Sequence, residues 1–229
     1  MKFAAALLAL AASISHAVAA KPQGIDISSW QSNVNWTTVK NHGVQFAYIK
    51  ATEGTTYKSA KFSSQYAGAY NKSIIHGAYH FARPEKSSGA AQAKFFLAHG
   101  GGWSADGKTL PGALDLEWTN GGKACYGLTH AKMVAWIKDF SNTYHAKTKR
   151  YPVFYTTTSW WKECTGNSKA FGKTNPLWLA RYSSKAGELP AGWPYYTFWQ
   201  YSDKASVIGG DANVFNGDSA ALKRMAKGS

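Results

Sequence analysis

Eight short apolar runs recur along the chain, and they are rich in the β-branched and aromatic residues that favour strands. They cover residues 24–28, 44–50, 74–81, 114–118, 152–156, 177–181, 196–201 and 211–215. Helices are predicted between several of them, over residues 59–71, 88–98 and 129–147. In the last of these, apolar residues recur every three or four positions and form one stripe. Alternating strands and helices predict a parallel sheet, and eight strands in one domain favour a barrel.

The fold prediction is therefore an α/β protein: a single-domain, irregular β/α barrel that is TIM-like and has eight strands. The strands after Tyr196 leave no room for a long helix before Asp211, so we expect the late helices to be reduced or missing. No glycine-rich phosphate loop follows the first strand, which argues against a nucleotide-binding sheet.

The first twenty residues have the pattern of a secretory signal peptide. Lys2 gives a positive start, residues 3–12 are apolar, and Ala17-Val18-Ala19 fits a small-x-small cleavage site. The apolar run is too short to span a bilayer. We therefore expect a signal peptide over residues 1–20 and a secreted, extracellular domain over residues 21–229, without membrane insertion.

The composition adds a formal net charge of +14. Such a charge favours polyanionic partners, among them nucleic acid and a bacterial surface with its acidic peptidoglycan and phosphate polymers. The lysines are scattered along the chain, and no arginine-rich block or nucleic-acid motif is present. Nucleic acid is therefore not expected as a partner.

The two cysteines, Cys125 and Cys164, are expected to form a disulfide, since they are a lone pair in a chain predicted to be exported. No histidine or cysteine has metal-ligand spacing around them, so no metal is expected there. His76 and His80 share one face of a predicted strand, which fits buried, hydrogen-bonded histidines better than a zinc site.

Carboxylates occur inside the apolar runs, although charged groups are rarely buried unless they are paired. Asp115 and Glu117 lie two residues apart in LDLEW, so they point to the same face, while Leu114, Leu116 and Trp118 point to the other, under the helices. Asp26 and Asp211 lie in the first and last runs, which are neighbours when a barrel closes. Glu53, after the second run, is a weaker fifth candidate. The chain has only 12 acidic residues, and four of them are predicted to meet at one end of the barrel.

Glycoside hydrolysis would explain such a cluster, because it needs a carboxylic acid to protonate the leaving oxygen. We expect Glu117 to be this acid and Asp115 to stay ionised and stabilise positive charge. Carboxyls two apart on a strand lie roughly 6–7 Å from each other, which is wide for a direct nucleophile. Inversion through a water and attack by the substrate's own 2-acetamido group both remain open.

Two other interpretations of the acids exist. They could pair with Arg181 or Lys50, or they could hold magnesium or calcium. The aromatic residues of the strands suit a sugar groove better than a hydrated ion, so no cofactor is expected. These residues are Tyr79, Tyr155, Trp178 and Trp199.

The order and spacing of several short motifs make the chain resemble the family 25 glycoside hydrolases, the Ch-type lysozymes or N-acetylmuramidases. The motifs are GIDISSWQ, FAYIKATEG, GAYHFARP, LDLEW, PVFYT, LWLARY, FWQYS and DANVF. The resemblance implies an irregular β/α barrel and hydrolysis of the β-1,4 bond between N-acetylmuramic acid and N-acetylglucosamine in bacterial peptidoglycan. It also implies retention of configuration, with or without participation of the acetamido group.

The family pattern also implies roles for single residues. Glu117 falls on the proton donor, and Asp26, Asp115 and Asp211 complete the acidic cluster. The positions that line the family's substrate cleft are matched by Tyr79, Tyr155, Trp199 and Asn213. We expect a monomer; the competing functions are a chitin-type hydrolase and a non-catalytic, cationic wall-binding protein.

Overall fold

The computed structural model describes residues 20–119, 121–205 and 210–229, so the predicted signal peptide lies outside the described residues except for Ala20. All eight predicted strands are present in it, with small shifts at their ends, and a two-residue strand is added. The strands are β1 (Gln23–Ile27), β2 (Val44–Glu53), β3 (Tyr57–Lys58), β4 (Ile75–Phe81), β5 (Ala113–Leu116), β6 (Val153–Thr156), β7 (Leu177–Ala180), β8 (Phe198–Ala205) and β9 (Gly210–Phe215).

The strands form a closed barrel of eight, which confirms the predicted fold. Their order is β1-β9-β8-β7-β6-β5-β4-β2, and β2 pairs with β1 to close the ring, while β3 lies on β2 outside it. The barrel is parallel, as predicted, except at β9, which runs antiparallel to both β1 and β8. Only residues 206–209 separate β8 from β9 in the chain, whereas a parallel connection needs a crossover of a dozen residues or more.

Six helices accompany the barrel in the described part of the chain. They are α1 (Trp36–Asn41), α2 (Phe62–Asn71), α3 (Gly89–Ala98), α4 (His130–Thr148), α5 (Thr158–Thr165) and α6 (Ser219–Lys227). The three predicted helices correspond to α2, α3 and α4. Residues 181–197, between β7 and β8, contain no helix, as expected for late helices that are reduced or missing. No described helix is long and apolar enough to cross a membrane.

Helix α4 shows why the sequence pattern was reliable. The Thr129 side chain accepts a hydrogen bond from the Lys132 amide and so caps the first turn. The predicted stripe is buried along the whole helix, and it consists of Met133, Trp136, Ile137, Phe140 and Tyr144. This stripe packs on the outer face of the barrel, together with Leu114 and Leu116 of β5.

The barrel interior is a second apolar core, filled by large rings. Phe46, Tyr48, Trp178 and Phe198 are all buried there. Helix α6 closes the end at which the parallel strands begin, since Leu222 and Ala226 insert into this inner core. The opposite end, where the parallel strands finish, is left open for polar side chains.

The turn after β5 is the least regular part of this open end. Cys125 and Cys164 form the predicted disulfide, which joins the turn to the end of α5. Cys125 and Tyr126 both have positive φ angles, of 49° and 58°, which are uncommon for residues other than glycine. The hydroxyl of Tyr126 donates a hydrogen bond of 2.8 Å to the backbone carbonyl of Glu117. The turn is thus attached to the chain just beyond β5.

The prediction that helices cover Trp118 is wrong. Strand β5 ends at Leu116, so the period-two alternation stops before Trp118, and 41% of its surface is exposed.

Candidate active site

A small cavity opens at the carboxyl ends of the parallel strands. Its volume is about 80 Å³, well below the roughly 300–1,000 Å³ of pockets that enclose a whole small ligand. Eight residues line it, and these are Asp26, Tyr79, Asp115, Glu117, Tyr155, Trp178, Gln200 and Asp211. The four predicted acids are therefore brought together. Asp26, Asp115 and Asp211 lie on β1, β5 and β9, and Glu117 follows the last residue of β5.

One wall of the cavity is a hydrogen-bonded pair of carboxyls. Asp26 lies opposite Asp211 in the register of β1 and β9. The Gln200 amide donates to Asp26 Oδ2 at 2.9 Å and to Asp211 Oδ2 at 3.0 Å. The Asn213 amide donates to the same Asp26 oxygen at 2.7 Å. Two amide side chains thus fix the position of Asp26.

The two amides of this wall are held in turn by aromatic side chains. The hydroxyl of Tyr155 donates to Gln200 Oε1 at 2.8 Å, and Trp178 Nε1 donates to Asn213 Oδ1 at 2.7 Å. Each amide therefore has its oxygen occupied, which forces its nitrogen towards the carboxylates. The orientation of Asp26 is set by residues that do not themselves titrate near neutral pH.

This wall retains a proton near neutral pH. Burial first, and then the charge of Asp211, raise the pKa of Asp26 to about 8, against the lowering effect of the two amide donors. Burial also raises the pKa of Asp211. A hydrogen bond between the two carboxyls favours the protonated form of Asp26 and the ionised form of Asp211, so the pair shares one proton.

The opposite wall has far fewer hydrogen bonds. Asp115 is 6% exposed, and its Oδ1 has no hydrogen-bond partner among the described residues. Glu117 lies one residue beyond the end of β5 and is partly exposed. Burial raises the pKa of Glu117 to about 7, and the nearby ammonium of Lys50 limits the rise. This wall therefore offers one acid near the surface and one carboxyl oxygen without a partner.

The expectation that Asp115 stays ionised in the free protein does not fit its surroundings. Burial and then the neighbouring Glu117 raise the pKa of Asp115 well above its usual value, and only Lys50 opposes them. A carboxyl removed from water with one unpartnered oxygen holds its proton more firmly than one in solution. An additional positive charge in the cavity would favour its ionised form.

The fifth candidate, Glu53, does not line the cavity. It forms ion pairs with Lys50 at 2.8 Å and with Arg83 at 3.2 Å, which account for its position at the end of β2. Among the described residues, neither Lys50 nor Arg181 forms an ion pair with Asp115 or Glu117. The alternative in which the strand acids are satisfied by those cations is therefore wrong for the cavity, and right only for Glu53.

His76 and His80 are buried on the face of β4 away from the cavity. His80 bonds Thr52 Oγ1 at 2.7 Å and Gln92 Oε1 at 3.0 Å, and burial lowers its pKa to about 4. His76 Nδ1 lies 2.7 Å from the Ile74 carbonyl oxygen. Both are hydrogen-bonded core residues, as predicted. No group of three or more potential metal ligands occurs in the described part of the chain.

The predicted substrate-contacting residues divide into three groups. Tyr79 and Tyr155 line the cavity. Asn213 is fully buried behind Asp26, so it can orient that carboxyl but cannot reach a ligand. Trp199 is on the face of β8 opposite to Gln200, and its Nε1 donates to the Arg181 carbonyl at 2.9 Å. Trp199 therefore does not line this cavity.

Two cavity residues were not selected from the sequence. Gln200 has a signal in the sequence: it is a polar residue two positions after Phe198, so it shares the inward face of an apolar strand. Trp178 is an aromatic residue of a predicted strand, but the sequence does not tell which face of the strand it is on. Leu177 and Leu179 flank it, so apolar residues occupy both faces of β7. Its contact with Asn213 shows that it faces inward.

The chain is similar to known proteins in both sequence and structure. The profile of the family described as Glycosyl hydrolases family 25 matches residues 25–210. An N,O-diacetylmuramidase from Arthroderma benhamiae is 56% identical over 206 residues, which are 90% of this chain and 87% of that protein. Another, from Chalaropsis sp, is 56% identical over 210 residues, 90% of this chain and 99% of that protein. The solved structure of a muramidase from Acremonium alcalophilum matches with a TM-score of 0.90 at 56% identity, covering 91% of this chain and 100% of that one.

Proposed function

Because the chain belongs to glycosyl hydrolases family 25, we propose that it cleaves the β-1,4 bond between N-acetylmuramic acid and N-acetylglucosamine in peptidoglycan. Its family and its close relatives make it a glycoside hydrolase of the lysozyme type, acting on peptidoglycan. The observation that supports the detailed proposal is the unequal pair on β5, a rim carboxyl with a pKa of about 7 beside a buried, unpartnered one.

Glu117 is the general acid of this proposal. With a pKa of about 7 it carries a proton in weakly acidic solution and can give it to the glycosidic oxygen as the bond to C1 breaks. Its backbone is attached to the disulfide-held turn through Tyr126, which restricts where the carboxyl can move. The same carboxylate can then take a proton from the water that completes hydrolysis.

Asp115 is proposed to stabilise the positive charge that develops on the sugar during the reaction. Asp115 lines the cavity, where its carboxylate can accept the N–H of the 2-acetamido group on the sugar whose C1 reacts. In this arrangement the acetamido oxygen attacks C1, the C1–O bond to the next sugar breaks, and the proton of Glu117 goes to that leaving oxygen. Asp115 releases its proton to water as the sugar becomes positively charged, and its carboxylate then stabilises that charge. Water next adds to C1 while the bond between C1 and the acetamido oxygen breaks, the water's proton goes to Glu117, Asp115 regains a proton from water, and the configuration is retained.

The Asp26 wall supports this chemistry from the other side. The Asp26 and Asp211 pair, which shares one proton, places one negative charge next to the cavity, where it favours a cationic transition state. Tyr79 and Tyr155 line the space between the two walls and are proposed to contact the sugar.

Exposed aromatic rings around the cavity favour a polymer as substrate. The cavity itself holds only part of a glycan chain, so neighbouring sugars must lie on the surface. Among the described residues, six large apolar side chains are exposed, and four of them lie just beyond the carboxyl ends of β1, β2, β5 and β7: Trp30, Tyr57, Trp118 and Tyr182. Flat apolar rings that remain in water at such positions are suited to stacking against sugar faces.

We also propose that the protein works outside the producing cell as a monomer, after residues 1–20 are removed. The signal-peptide pattern supports export, and the disulfide supports an oxidising compartment. The chemistry described above uses only side chains of this chain, so no cofactor is proposed.

The test is to identify the products from purified peptidoglycan by mass spectrometry after reduction. A new reducing end on N-acetylmuramic acid, formed first as the β anomer by proton NMR, is expected. A reducing end on N-acetylglucosamine would contradict the assigned bond, and the α anomer would contradict acetamido participation. Chitin oligomers are the control substrate, and their turnover at a rate equal to that of peptidoglycan fragments would favour the chitin-type alternative.

A further inference from the structure

Positive charge is concentrated at the end of the barrel opposite to the cavity. Eleven basic side chains lie in the segments that lead into the parallel strands or on α6, and we call this surface the basic floor. It comprises Lys21, Lys40, Lys72, Lys108, Lys147, Lys149, Arg150, Lys173, Lys223, Arg224 and Lys227. All except Lys108 and Arg150 are exposed, and these two are partly exposed.

Helix α6 joins the parts of the basic floor into one surface. While Leu222 and Ala226 close the barrel, Lys223, Arg224 and Lys227 remain exposed on the outer side of the helix. At its beginning, the ammonium of Lys21 donates to Asn216 Oδ1 at 2.8 Å. At its end, the guanidinium of Arg150 donates to the carbonyl of Gly228 at 3.2 Å. The helix therefore links the β1 side of the floor to the β6 side.

Acidic side chains do not neutralise this surface. The two acids on it are Asp106 and Asp218, and both accept backbone hydrogen bonds: Asp106 from Lys108 and Thr109, and Asp218 from Ala221. Among the described residues, no cation of the floor forms an ion pair with a carboxylate. At the cavity end, by contrast, acids and bases are mixed, and Glu53 alone pairs with two cations.

We propose that the basic floor binds a linear, phosphodiester-linked polyol polymer of the bacterial wall, while the cavity at the other end cleaves glycan. The choice of this occupant rests on the proposed function, because a peptidoglycan substrate places the protein next to the wall's own polyanions. A surface of cations without carboxylate partners attracts a linear polyanion by releasing its counterions. No separate wall-binding segment is needed for this attachment.

The side chains of the floor favour this polymer over nucleic acid. Nine of the eleven cations are lysines, whose compact ammonium groups bind phosphate as point charges. Reading of base edges uses the planar fork of arginine, of which the floor has two. The surface is therefore suited to a polymer with regularly repeated phosphates, and it lacks the side chains that read a base sequence.

The opposite positions of floor and cavity have a consequence for action on a wall. An enzyme held by its floor keeps its cavity pointed away from the polymer, towards neighbouring glycan. Attachment should therefore raise the rate on whole walls without changing the rate on soluble fragments.

The experiment measures sedimentation of the protein with purified walls before and after chemical removal of their phosphate polymers. It uses the Glu117→Gln variant as background, so that no wall is digested. The test protein adds Lys223→Gln, Arg224→Gln and Lys227→Gln. The control adds Lys94→Gln, Lys132→Gln and Lys138→Gln, three exposed cations on α3 and α4 that change the net charge equally.

At low salt we expect about tenfold weaker binding to untreated walls for the floor variant, and at most a twofold change for the control. The slope of log binding against log salt should fall in magnitude by about 2 for the floor variant. Equal loss in both variants, or equal binding to stripped and untreated walls, would overturn the proposal. So would tighter binding to duplex DNA or RNA that the wall polymer cannot displace.

Turnover of soluble peptidoglycan fragments separates this proposal from the proposed function. With Glu117 restored, the floor variant should cleave fragments at the wild-type rate and lose rate only on whole walls. Absence of any cleavage by the wild-type protein would refute the proposed function while leaving the binding result to stand by itself.

Discussion

The two walls of the cavity carry the same type of group in opposite surroundings. On the β1 and β9 side, Asp26 receives hydrogen bonds from Gln200 and Asn213 and shares a proton with Asp211. On the β5 side, Asp115 Oδ1 has no partner among the described residues, and Glu117 reaches the rim of the cavity. All four carboxyls have raised pKa values, and burial is the first cause in each case.

The difference shows which wall is built to react. A carboxyl whose oxygens are already occupied is fixed in place and serves as a constant charge. A carboxyl without donors is unstable as an anion until a substrate supplies them, so its energy changes most along the reaction. Substitutions on the β5 wall should therefore reduce turnover more than substitutions on the Asp26 wall.

The largest effect is expected for Glu117→Gln. The amide cannot donate a proton to the leaving oxygen, so kcat should fall by about 10²–10⁴-fold with the fold unchanged. Clearing of a wall suspension and turnover of soluble fragments measure the rate, and circular dichroism checks the fold. Glu163→Gln, exposed on α5, is the matched control and should keep the wild-type rate. Clearing by the Glu117 variant at the wild-type rate would refute its assignment as the acid.

The next largest effect is expected for Asp115→Asn. The amide has nearly the same shape but cannot ionise when positive charge develops, so kcat should fall by roughly 10²-fold and KM by much less. Steady-state kinetics on a soluble fragment give both constants. Retention of half the wild-type kcat would show that the Asp115 charge is not used in the reaction.

A smaller effect on rate, about tenfold or less, is expected for Asp26→Asn, together with a change in stability. Since the folded pKa of Asp26 is about 8 and the unfolded value near 4, the folded state binds the extra proton between them. The contribution of Asp26 to the free energy of unfolding should therefore fall as pH rises from about 4 to 8.

The Asp26→Asn substitution removes this loss of stability at high pH, because asparagine keeps the hydrogen bonds of Gln200 and Asn213 and carries no charge. At pH 8 the variant should be more stable than the wild type, by on the order of a few kcal/mol. Urea unfolding at pH 5 and pH 8 measures the difference, with Glu163→Gln as a control of equal charge change. A variant whose stability falls with pH as steeply as that of the wild type would contradict the raised pKa.

Tyr126→Phe tests the support of the β5 wall. Loss of one hydrogen bond to the Glu117 carbonyl should lower kcat by about two- to tenfold, because the acid is less well positioned. Tyr195→Phe, on an exposed ring, is the control. Equal kcat values in the two variants would remove Tyr126 from the positioning of Glu117.

The smallest effect is expected for Lys50→Gln, which should move the pH profile rather than the maximal rate. The Lys50 ammonium lowers the pKa of Glu117 and Asp115, so its removal raises both. The alkaline limb of kcat against pH should therefore shift to higher pH by less than about one unit. An unchanged profile, or a shift to lower pH, would show that the Lys50 charge does not lower the pKa values of these acids.

Much of the fold and of the acid cluster followed from the sequence because short-range periodicity carried the information. Period two placed Asp115 and Glu117 on one face and Leu114 and Leu116 on the other. Closure of the barrel then made the first and last strands neighbours, which paired Asp26 with Asp211. These steps need only the alternation of side chains along a strand and the rule that the first and last strands of a closed barrel are neighbours.

The errors arose where long-range contacts decide. The direction of β9 depends on its connection to β8, and with it the side on which Asp211 enters the cavity. The family resemblance predicts Trp199 in the cleft, whereas the residue of β8 that lines the cavity is Gln200. Gln200 and Asp26 are 174 positions apart in the chain, and no local pattern links them.

The sequence by itself determined the strands, the main helices, the four acids and the family, because these depend on side-chain chemistry and on periods of a few residues. Only the tertiary structure decided which carboxyl is hydrogen-bonded, which is unpartnered, and where the positive charge collects. Burial and the donors around a group set its pKa, and both come from residues far away in the chain. The difference between the two walls, and between the two ends of the barrel, is therefore a property of the folded protein.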